Sequence, residues 1–385
     1  MLRRALSIVA IAWAAAAAAQ AVPINPTRDD EVIEVLPAAA GSARGDERRQ
    51  REQLAKTPRD AGLALSVARR HLARAHELGD PRHAGMALAA IDGWRNDADA
   101  PGDVMLMRAT LQQYLHEFDA AAGTLQTLLA RHRAAQPQAW LTLATVRRVQ
   151  GRYADSDAAC EQVSRAGSTL HAAACLAENA ALRGDFTRAR TGLNGLLATP
   201  RLSDATRAWL LTTLAELEQR AARPEAADAA YRAALQAAPD DYTRLAYADF
   251  LIEQRRAPEA LAVLKGQPRS DAVLLRLAMA GAQAKAPGAT ADIAEMRERI
   301  AAANERPDAK RLHGREQAMF ALWVDGAADR ALELARGNVA LQREPLDLLV
   351  FAQAARRSGQ GSARDEVRRV VAAVGLRDER IRELL

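Results

Sequence analysis

Apolar residues return every three to four positions along most of this chain, in short blocks separated by polar turns. The clearest block runs from Ala208 to Asp241. In its second half Ala226, Ala227, Ala230, Ala234 and Leu235 fall at helical spacing, Tyr231 stands among them, and Pro239 closes the unit. Ahead of them Leu211, Leu214 and Ala215 mark another helix, so the stretch predicts two short helices joined at Ala222-Arg223-Pro224. Val and Ile are sparse through the middle, and no long alternating apolar/polar run calls for a strand. Ala, Leu, Arg, Glu and Gln lose little rotamer freedom in a helix, and they dominate the composition. The pattern predicts an all-α protein.

The block recurs. One copy carries Phe118, Ala121, Leu125 and Leu128, and the next carries Trp140, Leu143 and Ala144, then Gly151, Tyr153, Cys160 and Val163. A third holds Leu176, Ala177, Gly184, Phe186, Ala189 and Leu193, and a fifth Tyr247, Ala248, Ala260 and Leu264. After Ser270 the spacing loosens at Ala286-Pro287-Gly288, then recovers with Leu312, Gly326, Ala331 and Ala335, and again with Leu348, Phe351, Ala352 and Gly359. Ahead of the array, Ala64, Val67, Ala68, His71, Leu72 and Ala75 share one helical face, with a return helix from Ala84 to Ile91.

A small residue, an aromatic four on, an Ala three further and a Pro five further (Ala227, Tyr231, Ala234, Pro239) resemble the second half of a tetratricopeptide (TPR) repeat. Trp140, Leu143 and Ala144 with Gly151 and Tyr153 resemble its first half and turn, although Ser156 stands where Ala is usual. The fourth copy lacks the turn glycine. The resemblance implies a right-handed α-solenoid of helix pairs, crossing closely at Ala144–Ser156, Ala177–Ala189 and Ala215–Ala227. It also implies a groove lined by first helices, towards which Thr145, Arg148, Glu178, Trp209, Glu216, Gln219, Tyr242 and Asp249 would point. A carboxylate clamp built from Lys and Asn is not expected, because Leu141 and Thr145 occupy those positions. The expected organisation is a signal peptide over 1–21, an extended linker over 22–56 with the apolar island Val32–Leu36, a divergent helical pair over 57–100, and the repeat array over 101–385.

The first residues change the setting. Arg3 and Arg4 precede an apolar run from Ala5 to Ala19, and Ala19-Gln20-Ala21 is a small-x-small cleavage site. The run is shorter than the roughly 20 residues a membrane span needs, and Pro23 and Pro26 follow at once. Cleavage after Ala21 would give a periplasmic or secreted protein with no stable membrane span. Loss of the two arginines, with no acid lost, takes the net charge from +5 to +3. Arg44, Arg48, Arg49 and Arg51 are interleaved with acids, as are Arg364, Arg368 and Arg369, so these are solvated helix faces and no nucleic-acid partner is expected.

Candidate chemistry is thin. There is no dinucleotide, P-loop, zinc-protease or nucleophile-elbow motif, so no catalytic residue and no cofactor is expected. His71, His76 and His83 cluster in sequence, but His71 and His76 lie on different sides of one helix and His83 beyond the Gly79-Asp80-Pro81 turn, so no metal site is expected. Asp240-Asp241 suits helix capping. Cys160 and Cys175 are the chain's two cysteines. They would be small core residues in the cytosol and a possible disulfide after export, since the repeat register puts them on neighbouring helices. The functional expectation is an exported scaffold or assembly factor that binds proteins or peptides in its groove. The alternative is a periplasmic chaperone-like holder of unfolded segments, or an enzyme accessory subunit.

Overall fold

The computed structural model describes residue 28 and residues 38–385, apart from 96–99, 132–135 and 307–308. The expected signal peptide and the island Val32–Leu36 lie outside the described residues. The chain divides into two units, 1–53 and 54–385.

The described part of the first unit is mostly helix α1 (Ala38–Lys56). An extended linker to residue 56 was the expectation, and the helix departs from it. The physical reason is local: the segment is rich in Ala, Arg, Glu and Gln, and Arg48–Glu52 and Arg49–Asp46 pair one turn apart. A helix can form on such terms without the apolar face that periodicity detects.

The second unit is built of helices in succession: α2 (Ala61–Leu78), α3 (Pro81–Ala90), α4 (Gly102–Tyr114), α5 (Phe118–Arg131), α6 (Pro137–Val149), α7 (Tyr153–Arg165), α8 (Thr169–Leu182), α9 (Phe186–Leu197), α10 (Asp204–Arg220) and α11 (Pro224–Ala237). It continues through α12 (Asp241–Glu253), α13 (Ala257–Leu264), α14 (Asp271–Ala284), α15 (Ala289–Asn304), α16 (Ala309–Trp323), α17 (Ala328–Val339), α18 (Pro345–Arg357), α19 (Gly361–Val374) and α20 (Glu379–Leu384). Each helix from α2 to α19 packs on the next, while α20 packs on α18, so the unit is an α-solenoid of helix pairs with a returning end. Side-chain caps start several helices: Ser203, Asp240 and Ser270 each accept a hydrogen bond from the backbone N–H three residues on.

The close crossings depend on small residues. Ala144, Ser156, Ala189, Ala215 and Ala227 have no exposed surface, and Ala177 is half-buried. Beside them Tyr231, Tyr247 and Phe250 stack on one another, with ring centroids 5.3 to 6.1 Å apart. Tyr231 is fully buried, so it fills space between repeats while the alanines let the backbones approach.

Left-handed residues end several first helices: Gly151 (φ 74), Gly184 (φ 90), Ala222 (φ 53) and Arg255 (φ 60). Glycine at the first two is required by more than φ. A Cβ on Gly151 would stand 3.0 Å from Val374 Cγ2, and one on Gly184 would stand 2.8 Å from Arg377 Cγ. The C-terminal segment lands on these turns. This explains why the turn glycine is present at 151 and 184.

The landing closes the solenoid on itself. The Arg377 N–H donates to the Leu182 carbonyl at 2.8 Å, and the Arg343 N–H, between α17 and α18, donates to the Val149 carbonyl at 2.7 Å. Leu376 and Ile381 are buried in one apolar cluster with Tyr153 and Leu182. Arg380 pairs with Glu253 at 2.9 Å and with Asp378 at 2.6 Å. On the other side of the unit, a Cβ on Gly79 would lie 3.6 Å from the Asp271 backbone nitrogen, so the α2–α3 turn meets the start of α14. Residues 375–385 therefore add no repeat; they bind repeats already made.

The crossing geometry is testable. Ala215→Leu should destabilise the fold by about 1–3 kcal/mol through overpacking against Ala227. Urea denaturation reads this directly, and an unchanged midpoint would rule out the close crossing.

Candidate functional site

The first helices of successive pairs carry the residues that the repeat register aims at the groove. The structure places all but Thr145 beside a partner on a neighbouring first helix; the Thr145 hydroxyl donates to the Leu141 carbonyl of its own helix. Arg148 on α6 pairs with Glu178 on α8 at 2.8 Å. His171 on α8 stacks on Trp209 of α10, with ring centroids 5.6 Å apart. The Tyr242 hydroxyl on α12 donates to Glu216 of α10 at 2.6 Å. The Gln219 amide on α10 donates to Glu253 at the end of α12 at 2.8 Å, and accepts from the Tyr231 hydroxyl at 3.0 Å. Arg276 on α14 grips Asp249 of α12 in a fork, at 2.9 and 2.6 Å.

These contacts form a ladder, and its rungs join residues 26 to 38 positions apart. Farther along, Arg315 on α16 repeats the motif with Asp347 of α18 at 2.6 Å and with Glu344. Sequence reasoning found one side of most rungs and missed His171, Glu253, Arg276 and Arg315. Their signal was a complementary residue about one repeat downstream or upstream, which a search for surface grooves does not use.

Burial shapes the electrostatics of this surface. Desolvation pushes the Glu216 carboxyl above the ordinary carboxylate range, opposed by Arg220 and by the Tyr242 hydrogen bond. The Glu216 charge in turn pushes the Tyr242 hydroxyl well above its usual value. Tyr242 is 65% exposed although its hydroxyl is tied down, so its ring faces solvent.

Between α6, α8 and α10 the ladder opens into a cavity of about 340 Å³. Leu141, Cys175, Ala205 and Trp209 supply apolar wall, and Thr145, Thr206, His171 and the Arg148–Glu178 pair supply polar groups. The cavity thus brings together Arg148, Glu178 and Trp209 from the expected set. Glu216, Gln219, Tyr242 and Asp249 lie on neighbouring rungs outside its wall. Such a mixture suits binding, with apolar surface for one side chain and hydrogen-bonding groups at its edge.

Cys175 belongs to this wall and is bonded to Cys160 of α7, with Cα atoms 5.8 Å apart. The bridge ties the second helix of one pair to the first helix of the next. The histidines fall out differently from their sequence pattern. The α2–α3 turn brings His83 back to His71, with Nδ1 atoms 3.3 Å apart, while His76 meets the edge of Tyr114. Among the described residues no three His, Cys, Asp or Glu side chains form a group able to hold a metal ion. Among the same residues no helix is long and apolar enough to cross a membrane.

No family model matches the chain, and no curated protein is similar to it. Solved structures are. A Rap protein complexed with competence and sporulation factor is similar with a TM-score of 0.49 at 13% identity, over 90% of this chain and 95% of that one. A tetratricopeptide repeat protein from Parabacteroides merdae gives 0.37 at 12% identity, over 66% of this chain and 98% of that one. The TPR domain of P58(IPK) gives 0.23 at 17% identity, over 83% and 96%.

Two measurements check the site. Because Glu216 titrates above its unfolded value, its protonated form is favoured by folding and its charge costs stability once pH rises through the folded value. Glu216→Gln should therefore raise the melting temperature at pH 8 and leave it unchanged at pH 4; a gain that grows towards acid would reverse the assignment. Reducing the Cys160–Cys175 bridge should cost about 3 kcal/mol in the chain-entropy model for a loop of this length. Denaturation with and without reductant measures it, and two free thiols in the unreduced, denatured chain would exclude the bridge.

Proposed function

We propose that this chain is an exported scaffold or assembly factor that binds an extended segment of a protein partner in the cavity between α6, α8 and α10. The observation that carries the reading is the cavity wall itself. Trp209 and Leu141 offer an apolar slot, and Thr145, Thr206 and the Arg148–Glu178 pair stand at its edge, where peptide N–H and C=O groups need partners. A side chain enters the slot and the backbone is held beside it.

A holder of unfolded segments would need a broad apolar surface. The large apolar side chains with substantial exposure among the described residues are Leu78, Met86, Tyr242 and Leu341, scattered along the chain. This favours a partner recognised at one place over general retention of unfolded chains.

Export rests on the N-terminal leader pattern together with the Cys160–Cys175 bridge, since such bridges persist in oxidising compartments. On this reading the mature chain begins at Val22 and works in the bacterial envelope or outside the cell.

Affinity selection from a pool of random twelve-residue peptides on the immobilised full chain tests the binding. A related set sharing an apolar residue should be retained, and Trp209→Ala should lose it. Retention of the same set by Trp209→Ala, or no retention by the wild type, would overturn the proposal. Cell fractionation tests export: the protein should sit in the envelope fraction with Val22 at its N-terminus, and an intact leader in the cytosol would exclude it.

A further inference from the structure

The C-terminal segment touches the groove helices at their C-terminal ends, next to Arg148 and one turn beyond Glu178 of the cavity wall. Val374 lies against the turn after α6, Arg377 binds the last turn of α8, and Arg380 binds the last residue of α12. Two of these three helices, α6 and α8, are walls of the cavity. The third reaches the remaining wall, because Glu253 takes hydrogen bonds from both Arg380 and Gln219 of α10. One short segment thus touches two walls of the cavity, α6 and α8, directly, and the third, α10, through Glu253 of α12.

The hold is strong in geometry and small in extent. From Gly375 to Asp378 the chain is irregular, and α20 has six residues. The segment is attached by the Arg377 hydrogen bond to Leu182, the Arg380 network with Glu253 and Asp378, a hydrogen bond from Arg356 of α18 to the Glu383 carbonyl, and the buried Leu376 and Ile381. Asp378 is 4% exposed, so the network is desolvated, and loss of one member leaves a charge without compensation.

We infer that residues 374–381 are a strap that sets the width of the cavity from the C-terminal ends of its helices. The inference rests on the binding proposed for the cavity. Arg380 is a positioning residue: it touches no ligand, and it acts through Glu253 and Gln219 on α10. From Cys175 in the cavity wall to Leu182 at the strap is seven residues of helix, about 10 Å. A tilt of α8 at the strap therefore moves the cavity wall. A strapped array presents a preorganised slot, and an unstrapped one must be ordered by its ligand at a cost in affinity.

The test separates the strap from the slot. Spin labels at Gln138→Cys on α6 and Asp204→Cys on α10 report the spacing across the cavity in the full chain, with no ligand present. Arg380→Met and the isosteric Glu253→Gln should each lengthen and broaden that distance distribution. They should also weaken binding of the peptides selected on the wild type by about ten-fold, and the double variant should be no worse than either single one. Restoring tight closure with an engineered disulfide between the strap and α8 (Arg377→Cys with Arg183→Cys) should recover affinity in the Arg380→Met background. Distance distributions that superimpose on the wild type would overturn the strap whatever the peptides do. Widening without loss of affinity would overturn its link to the slot while leaving the slot intact. If the wild type retains no peptide, the proposed binding and the link to it both fall.

Discussion

From α6 to α14, and again between α16 and α18, each first helix is joined to the next by a side-chain contact about one repeat away along the chain, and the stacking there depends on this ladder. Apolar packing between helix pairs is non-directional and lets one pair slide or rotate on the next. A forked Arg276–Asp249 pair does not, because a planar guanidinium satisfies both carboxylate oxygens in one geometry. Arg276 is 6% exposed, so breaking the fork leaves a buried charge unpaired. The ladder adds angular definition to an array whose affinity for itself comes from Leu, Ala and Tyr.

Fixed angles between repeats have a consequence at long range. Small errors in angle add along a solenoid, and closure of the end onto the middle is possible only where they do not. Here the C-terminal segment meets the turns after α6 and α8 closely enough that a single Cβ at Gly151 or Gly184 would collide. The two glycines leave the room that this close approach takes. Backbone hydrogen bonds at Val149 and Leu182 then use carbonyls at the ends of helices, which lack intrahelical partners.

The helix pairs were legible in the sequence because small residues must recur where backbones cross, and Ala215 with Ala227 could be placed from the register that the repeat resemblance implies. The groove residues were legible as a surface and misjudged in role. Arg148, Glu178, Glu216, Gln219, Tyr242 and Asp249 are each engaged with a neighbouring helix. A register gives the direction of a side chain and is silent on what the next repeat puts opposite it. The closure by Val374, Arg377 and Arg380 left no periodic trace at all, because it pairs residues more than a hundred positions apart. Helix α1 was hidden for the reverse reason: a polar helix satisfied by its own charge pairs has no apolar stripe to announce it.

The position of the cavity follows from which rung is weakest to displacement. An ion pair such as Arg276–Asp249 cannot admit an apolar side chain without stranding two charges. A hydrogen-bonded rung such as Tyr242–Glu216 would leave a carboxylate that burial already disfavours in its charged form. The His171–Trp209 rung is a stack, and it loses only contact area when another flat or apolar group slides beside it. His171 keeps its ring held meanwhile through Ser168, 2.9 Å from Nδ1. The array therefore opens where the aromatic rung His171–Trp209 stands beside the Arg148–Glu178 pair, and the apolar group it admits displaces the stack and leaves the ion pair in place.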